Sequence, residues 1–315
     1  MEHTLMGCLN KIFGSKENNK PMMQESISET GRKPLQTPER TKKRTSMTRV
    51  LQPAHTIRLR PERVDQAESA RPQGLLSLSS SGVTDRGLVR DHNEDWYALA
   101  SFEDKSLFVV ADGMGGHDSG EVASRIAADA VCRMVQEEHK EYDDLLSLVE
   151  RAAQQANFDV RQQGTRQGSN MGTTLSIALV SRDKAYVANV GDSRVYWMEN
   201  GAITQVTTDH SLVAKLVDAG KLTKEEARDH PRANLLYRTI GIDEEVKVDT
   251  FRVDLQKGGT LLLCTDGLWG ELTDEDIRRV CTEERDAKDV ASRLVQRANE
   301  HGGKDNITAI VVRVP

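Results

Sequence analysis

Two short apolar runs, Leu175-Ser176-Ile177-Ala178-Leu179 and Ala185-Tyr186-Val187-Ala188-Asn189-Val190, stand on either side of Ser181-Arg182-Asp183-Lys184. Each run has the length of a strand, and the polar link is too short for a crossover, so the pair reads as an antiparallel hairpin. Outward from it, Val195-Tyr196-Trp197-Met198 is a third strand, with Glu199-Asn200-Gly201 as the next turn. Upstream, Leu107-Phe108-Val109-Val110-Ala111 is a buried strand, and residues 119–137 carry Val122, Ile126, Ala130 and Met134 at helical spacing. A second helix is expected from 145 to about 161. Downstream come a polar-rich helix over 211–228, strands over 246–253 and 261–264, helices from 274 and over 287–299, and a closing strand over 308–312. Strands joined by hairpins, with helices arriving in blocks, predict an α+β fold whose helices pack on the outer faces of antiparallel sheets.

With 315 residues the chain can build one large domain or two small ones. It carries 43 Lys and Arg against 49 Asp and Glu, a net of −6, which excludes a nucleic-acid coat protein. The charge is unevenly spread. Residues 1–77 hold 14 basic and 8 acidic groups, a net of +6, whereas residues 78–315 hold 29 and 41, a net of −12. The first stretch has too few apolar clusters to offset its chain entropy and reads as a disordered basic tail, followed by one folded domain over 78–315. Within the tail, Leu5, Leu9, Ile12 and Phe13 make a short apolar face that fits a docking or membrane-surface helix, or simply a frayed terminus. Hydroxyls among basic residues in Arg40-Thr41-Lys42-Lys43-Arg44-Thr45-Ser46-Met47-Thr48 fit a phosphorylated regulatory stretch or a solvated linker. No apolar run reaches the ~18 residues of a membrane span. Four dispersed cysteines without a Cys-x-x-Cys pair argue against a disulfide scaffold or zinc ribbon. A soluble, cytoplasmic protein is expected.

Carboxylates recur where strands end. Val109-Val110-Ala111-Asp112-Gly113-Met114-Gly115-Gly116 runs from an apolar strand into an Asp and a glycine-rich turn, and Leu262-Leu263-Cys264-Thr265-Asp266-Gly267 repeats the arrangement. Asn93-Glu94-Asp95 precedes an apolar stretch, and Asp305-Asn306 precedes the last strand. Any one Asp-Gly pair is usually only a turn. Four strand-edge acidic sites on one domain are what a hard divalent cation such as Mg²⁺ or Mn²⁺ requires.

Six motifs occur in order: Arg90-x-x-Asn93-Glu94-Asp95, Asp112-Gly113-Met114-Gly115-Gly116-His117, Met171-Gly172-Thr173-Thr174, Val190-Gly191-Asp192-Ser193-Arg194, Thr265-Asp266-Gly267-Leu268-Trp269 and Asp305-Asn306-Ile307-Thr308. Over residues 82–315 this resembles the bacterial form of the type 2C metal-dependent serine/threonine protein phosphatases. The resemblance implies a four-layer α-β-β-α sandwich of two antiparallel sheets flanked by helices. It implies two Mn²⁺ or Mg²⁺ ions and hydrolysis of phosphoserine and phosphothreonine by a metal-activated water, opposing a serine/threonine kinase. In this sequence Asp112 would bridge both ions, Asp266 and Asp305 would bind one, and Glu94 with the Gly113 carbonyl would bind the other. Asp95 would support the site's water network, and Arg90 would hold the substrate phosphate with its planar fork. Residues 209–240 resemble a flap beside the site that shapes substrate choice. A monomer acting on phosphoprotein substrates, with no nucleic-acid partner, is expected.

Three departures bear on the details. Met114 stands where many eukaryotic members carry a His suspected as general acid, leaving that role to a water or to His117. Gln167 and Gly270 stand where other members carry acidic residues, so a third ion would depend on Asp192, which could equally anchor its turn. A pseudophosphatase that binds phosphoproteins without turnover is the competing reading, and the intact set Arg90, Glu94, Asp112, Asp266 and Asp305 weighs against it. A two-metal nuclease is disfavoured because a −12 domain repels a polyanion.

Overall fold

The structure, a computed structural model, describes residues 77–115 and 119–315. The basic tail with its apolar face and hydroxyl-rich run, and His117, lie outside the described residues. Among the described residues, eleven strands form two antiparallel sheets. The first sheet has the order β1 (Ser79–Asp85), β11 (Ile307–Arg313), β10 (Thr260–Cys264), β7 (Arg194–Glu199), β8 (Ala202–Gln205). The second runs β2 (Asp95–Phe102), β3 (Lys105–Met114), β5 (Leu175–Ser181), β6 (Lys184–Val190), β9 (Asp249–Asp254), with the two-residue β4 (Gly172–Thr173) paired to the end of β3.

Strand alternation builds the layers. Phe108 and Val110 of β3 join Ala178, Val187, Leu261, Leu263, Ile310 and Val312 in a core between the sheets. Their neighbours Leu107, Val109 and Ala111 face the other way, onto α1 (Ser119–Glu138) and α2 (Leu145–Gln167). Ala123, Ala127, Ala152, Ala153 and Ala156 keep those two helices close to the sheet and to each other. On the opposite outer face, α6 (Asp274–Glu283) and α7 (Ala287–Glu300) bury Ile277, Leu294 and Ala298 against Leu262, Ala309 and Val311. Period-two strands between period-3.6 helices therefore give the expected α-β-β-α sandwich.

The 175–190 hairpin pairs as read, Leu175 opposite Val190 and Ser181 opposite Lys184. Several boundaries differ. The single helix expected over 211–228 is two short ones, α3 (Leu212–Asp218) and α4 (Lys224–Arg228), broken at Gly220 with φ +65°. The strand expected from 246 begins at Asp249, and α2 runs past 161 to Gln167. β1 was not legible, because Ser79-Ser80-Ser81-Gly82 carries no apolar run and owes its extended form to pairing with β11. Asp112 lies within β3, opposite Asp95, rather than in the turn after it.

Candidate active site

Antiparallel pairing sets the start of one strand beside the end of its neighbour, and it gathers the carboxylates at one end of the sandwich. Asp95 opens β2 beside Asp112 near the end of β3. β10 ends at Cys264, opposite Arg194 at the start of β7 and Ala309 near the start of β11, which brings in Asp266, Asp305 and the Gly191–Ser193 turn. A one-turn helix, α5 (Asp266–Trp269), places Asp266 at its first position.

Asp112 is held by its backbone: its N–H donates to Thr174 Oγ1 (2.9 Å), and its carbonyl accepts from Thr174 N (2.9 Å) and Thr173 Oγ1 (2.8 Å). Asp95 Oδ2 accepts from Thr265 Oγ1 (2.8 Å) and Thr308 Oγ1 (2.6 Å). Asp305 accepts from Arg90 Nη2 at 2.6 Å, and Arg90 remains 45% exposed, so its guanidinium is within reach of an anionic substrate. Glu94 lies against the start of α1. A Cβ on Gly120 would stand 2.4 Å from Glu94 Oε1 and 2.9 Å from the Gly113 carbonyl carbon, so a side chain there would have to displace the Glu94 carboxylate.

The electrostatics are unfavourable without cations. Burial, followed by the charges of Asp266, Asp95, Asp192 and Asp305, pushes the Asp112 carboxyl well above the usual range. Burial and Asp305 raise Asp266, and burial also raises Asp95 and Asp192. Glu94 is raised by burial against the opposing pull of Arg90. Asp95 Oδ1 and Asp266 Oδ1 are buried with no hydrogen-bond partner. Among the described residues no three acidic, His or Cys side chains already close on one cation-sized point. A set of buried oxygen donors that repel one another, two of them orphaned, fits hard divalent cations, which would neutralise the charge and use the free lone pairs.

The candidate ligands and the phosphate-binding arginine meet here: Arg90, Glu94, Asp95, Asp112, Gly113, Asp266 and Asp305, with Asp192 buried beside Asp266. Gln167 ends α2 and is exposed, and Gly270 follows α5. Sequence reasoning missed the clamp made by Asn306. Its Oδ1 accepts from Glu94 N (2.8 Å), while its Nδ2 donates to the carbonyls of Arg86 (2.9 Å) and His92 (2.8 Å), fixing the loop that carries Arg90 and Glu94. Only a side-chain amide can do both at once, which is the signal that Asp305-Asn306 held. Arg194 was also missed as a brace: it pairs with Asp209 through Nε and Nη2 (3.1 and 2.7 Å) and stacks on Trp269, 3.6 Å from the ring centroid.

A two-sheet sandwich with helices outside and a cluster of buried carboxylates at one end defines the class of metal-dependent phosphatases. A family model described as protein phosphatase 2C matches residues 89–311, and the chain belongs to that family. The serine/threonine phosphatase stp of Listeria innocua is 39% identical over 238 residues, covering 73% of this chain and 93% of that protein. PstP of Mycobacterium tuberculosis is 35% identical over 241 residues, 76% of this chain and 45% of that protein. Among solved structures, the catalytic domain of PstP in complex with two manganese ions superposes with a TM-score of 0.67 at 33% identity, covering 75% of this chain and 97% of that one. Stp1 of Staphylococcus aureus superposes with a TM-score of 0.69 at 32% identity, covering 78% and 99%. No helix among the described residues is long and apolar enough to cross a membrane.

Proposed function

We propose that the chain removes phosphate from phosphoserine and phosphothreonine in proteins, opposing a serine/threonine kinase, at a centre that takes two Mn²⁺ or Mg²⁺ ions. The observation that carries this reading is the convergence of carboxylates from distant segments, with Asp95 Oδ1 and Asp266 Oδ1 buried and unpartnered. Asp112, Asp266, Asp305, Glu94 and the Gly113 carbonyl would hold the ions, with Asp112 shared, Asp266 and Asp305 on one side and Glu94 with Gly113 on the other. When bound, the ions supply a nucleophile at neutral pH and neutralise the phosphoryl oxygens.

The protein's own residues hold and orient. Backbone bonds on both sides of Asp112 and two threonine hydroxyls on Asp95 keep those carboxyls in place as charge develops. Arg90, paired with Asp305 and facing Asp112 and Asp266, offers its remaining donors to substrate phosphate. Burial pushes the Cys132 and Cys281 thiols up to about 12, and Cys264 rises further. None of these three described cysteines is therefore poised as a thiolate nucleophile, and a water mechanism requires no covalent intermediate. Asp192, beside Asp266, is the candidate ligand for a third ion. The phosphatase domain would span 78–315 with 209–240 as its flap, acting as a monomer in the cytoplasm.

The test is p-nitrophenyl phosphate hydrolysis with Mn²⁺, with chelator, and with Asp266→Asn, on the full chain and on a chain starting at residue 78. Turnover should require the metal, fall by about 10²–10³-fold in Asp266→Asn, and survive the truncation. Full activity of Asp266→Asn would overturn the metal assignment.

A further inference from the structure

Just upstream of Arg90 the chain shows two branched apolar side chains to water. Leu88 is 68% exposed and Val89 65%, the highest values among the large hydrophobic residues described. A single exposed aliphatic residue is ordinary on a protein surface. These two are adjacent, and they directly precede the arginine that faces the carboxylates.

The turn that carries them is built without their help. Gly87, with φ +79°, lies so close to the Asp305 segment that a Cβ would stand 2.1 Å from the Asp305 carbonyl oxygen. Its N–H donates to Asp85 Oδ1 (2.8 Å), and Leu88 N donates to the Gly303 carbonyl (2.7 Å). Asn306 Nδ2 holds the Arg86 and His92 carbonyls on either side of the turn. Gly303 leaves room for Leu88, since a Cβ there would come 3.0 Å from Leu88 Cγ. Neither Leu88 nor Val89 joins a buried core. Charged neighbours are engaged elsewhere: Arg86 Nη1 donates to the Asp91 carbonyl (3.3 Å), and Lys304 lies 3.7 Å from Glu271. Asp91 and His92 follow Arg90 rather than precede it.

Position supplies the rest. The Cα of Val89 is one peptide step, about 3.8 Å, from that of Arg90, and the Cα of Leu88 is at most about 7 Å away. Side chains on one face of an extended peptide recur at about the same 7 Å. A polypeptide with its phosphate at Arg90 that runs back along this turn brings a nearby side chain over the pair. We infer that Leu88 and Val89 form a substrate platform for one apolar side chain, of Leu size, one or two residues from the phosphorylated one. Apolar surface leaves water on both partners, and a turn fixed beforehand pays little to be ordered. The platform belongs to the loop between β1 and β2, not to the 209–240 segment. The inference rests on the phosphatase reading of Arg90 and the carboxylates.

The experiment uses the full chain with Mn²⁺ and phosphothreonine peptides on a glycine background. Leu or Lys is placed in turn one or two residues to either side of the phosphothreonine. Each kcat/KM is taken relative to the all-glycine peptide on the same enzyme, so differences in active fraction cancel. At one position Leu should exceed Gly about fivefold to tenfold, and the double variant Leu88→Ser, Val89→Ser should bring that ratio to about one. Leu88→Glu should make Lys the favoured residue at the same position, a change that a merely structural role would not produce. That variant decides the matter if the double variant fails to fold by circular dichroism. Equal values for Leu and Gly at every position, a Leu preference that persists in the folded double variant, or no gain for Lys in Leu88→Glu would overturn the platform alone. No hydrolysis of any peptide would overturn the phosphatase reading and the platform with it.

Discussion

At Gly267 there is no room for a methyl group. A Cβ would stand 2.1 Å from the Asn306 carbonyl oxygen, and both atoms belong to backbone that anchors a candidate ligand, Asp266 on one side and Asp305 on the other. Gly267→Ala must therefore push the two segments apart. Misplacement of about 1 Å can cost on the order of 10²-fold in rate. The expected outcome is a loss of that size in p-nitrophenyl phosphate turnover together with a lower melting temperature. Near-normal kinetics would mean that the spacing of Asp266 and Asp305 is not critical. The Asp-Gly pattern at 266–267 was visible in the sequence as a turn. That the glycine serves close approach to another strand was not, because its neighbour Asn306 is far away along the chain.

At the level of elements, the segment 209–240 is tied to the sandwich by a narrow neck. Ser211 bridges to Leu236, Ile240 to Thr173, and Tyr237 N donates to the His210 carbonyl at 3.0 Å. His210 Nδ1 accepts from Gly191 N (3.0 Å), while its Nε2 lies 3.1 Å from Asp249 and 2.8 Å from Arg238 Nη1, which also donates to the Asp249 carboxylate at 2.8 Å. Burial, then the Arg238 charge, hold His210 below its usual value despite Asp249. Burial would raise Asp249, but its bonds from His210 and Arg238 hold it below the usual carboxylate range. The signs agree. A histidine lowered in the folded state lends stability that is complete above about pH 6.5 and is lost as pH falls through its lower folded value. The lowered Asp249 lends stability above about pH 3.9 that is lost on further acidification. Hydrogen exchange at 210–212 and 236–240, corrected for intrinsic rates, should accelerate when the pH drops from 7.5 to 5. Unchanged protection would show that His210 does not hold the neck.

Across the whole molecule, the buried carboxylates oppose folding unless cations neutralise them. Burial and mutual repulsion raise Asp112, Asp192, Asp266 and Asp95 together, a cost borne by both sheets because the residues come from β2, β3, the β6–β7 turn and α5. Metal binding should therefore stabilise the fold as well as activate it. At about 100 times Kd, one Mn²⁺ ion adds about 2.7 kcal/mol. For a domain of this size that is roughly 5–10 °C in melting temperature. Calorimetry with Mn²⁺ and with chelator should show this shift, and it should shrink in Asp266→Asn. An identical melting temperature with and without metal would sink the idea.

The strands at 175–190, 261–264 and 308–312, the two long helices and the acidic motifs could be read from local pattern alone, since alternation, helical spacing and Asp-Gly turns are properties of neighbouring residues. β1, the division of 211–228 into two helices and the one-turn α5 could not, because each depends on pairing or packing partners remote in the chain. The same divide runs through the site. Residue types suited to hard cations were present from the start, but Asn306 as a clamp and the Arg194–Asp209–Trp269 brace exist only once antiparallel pairing has set strand ends side by side. Chemistry of a side chain travels with the residue, whereas distance between side chains is a property of the folded chain.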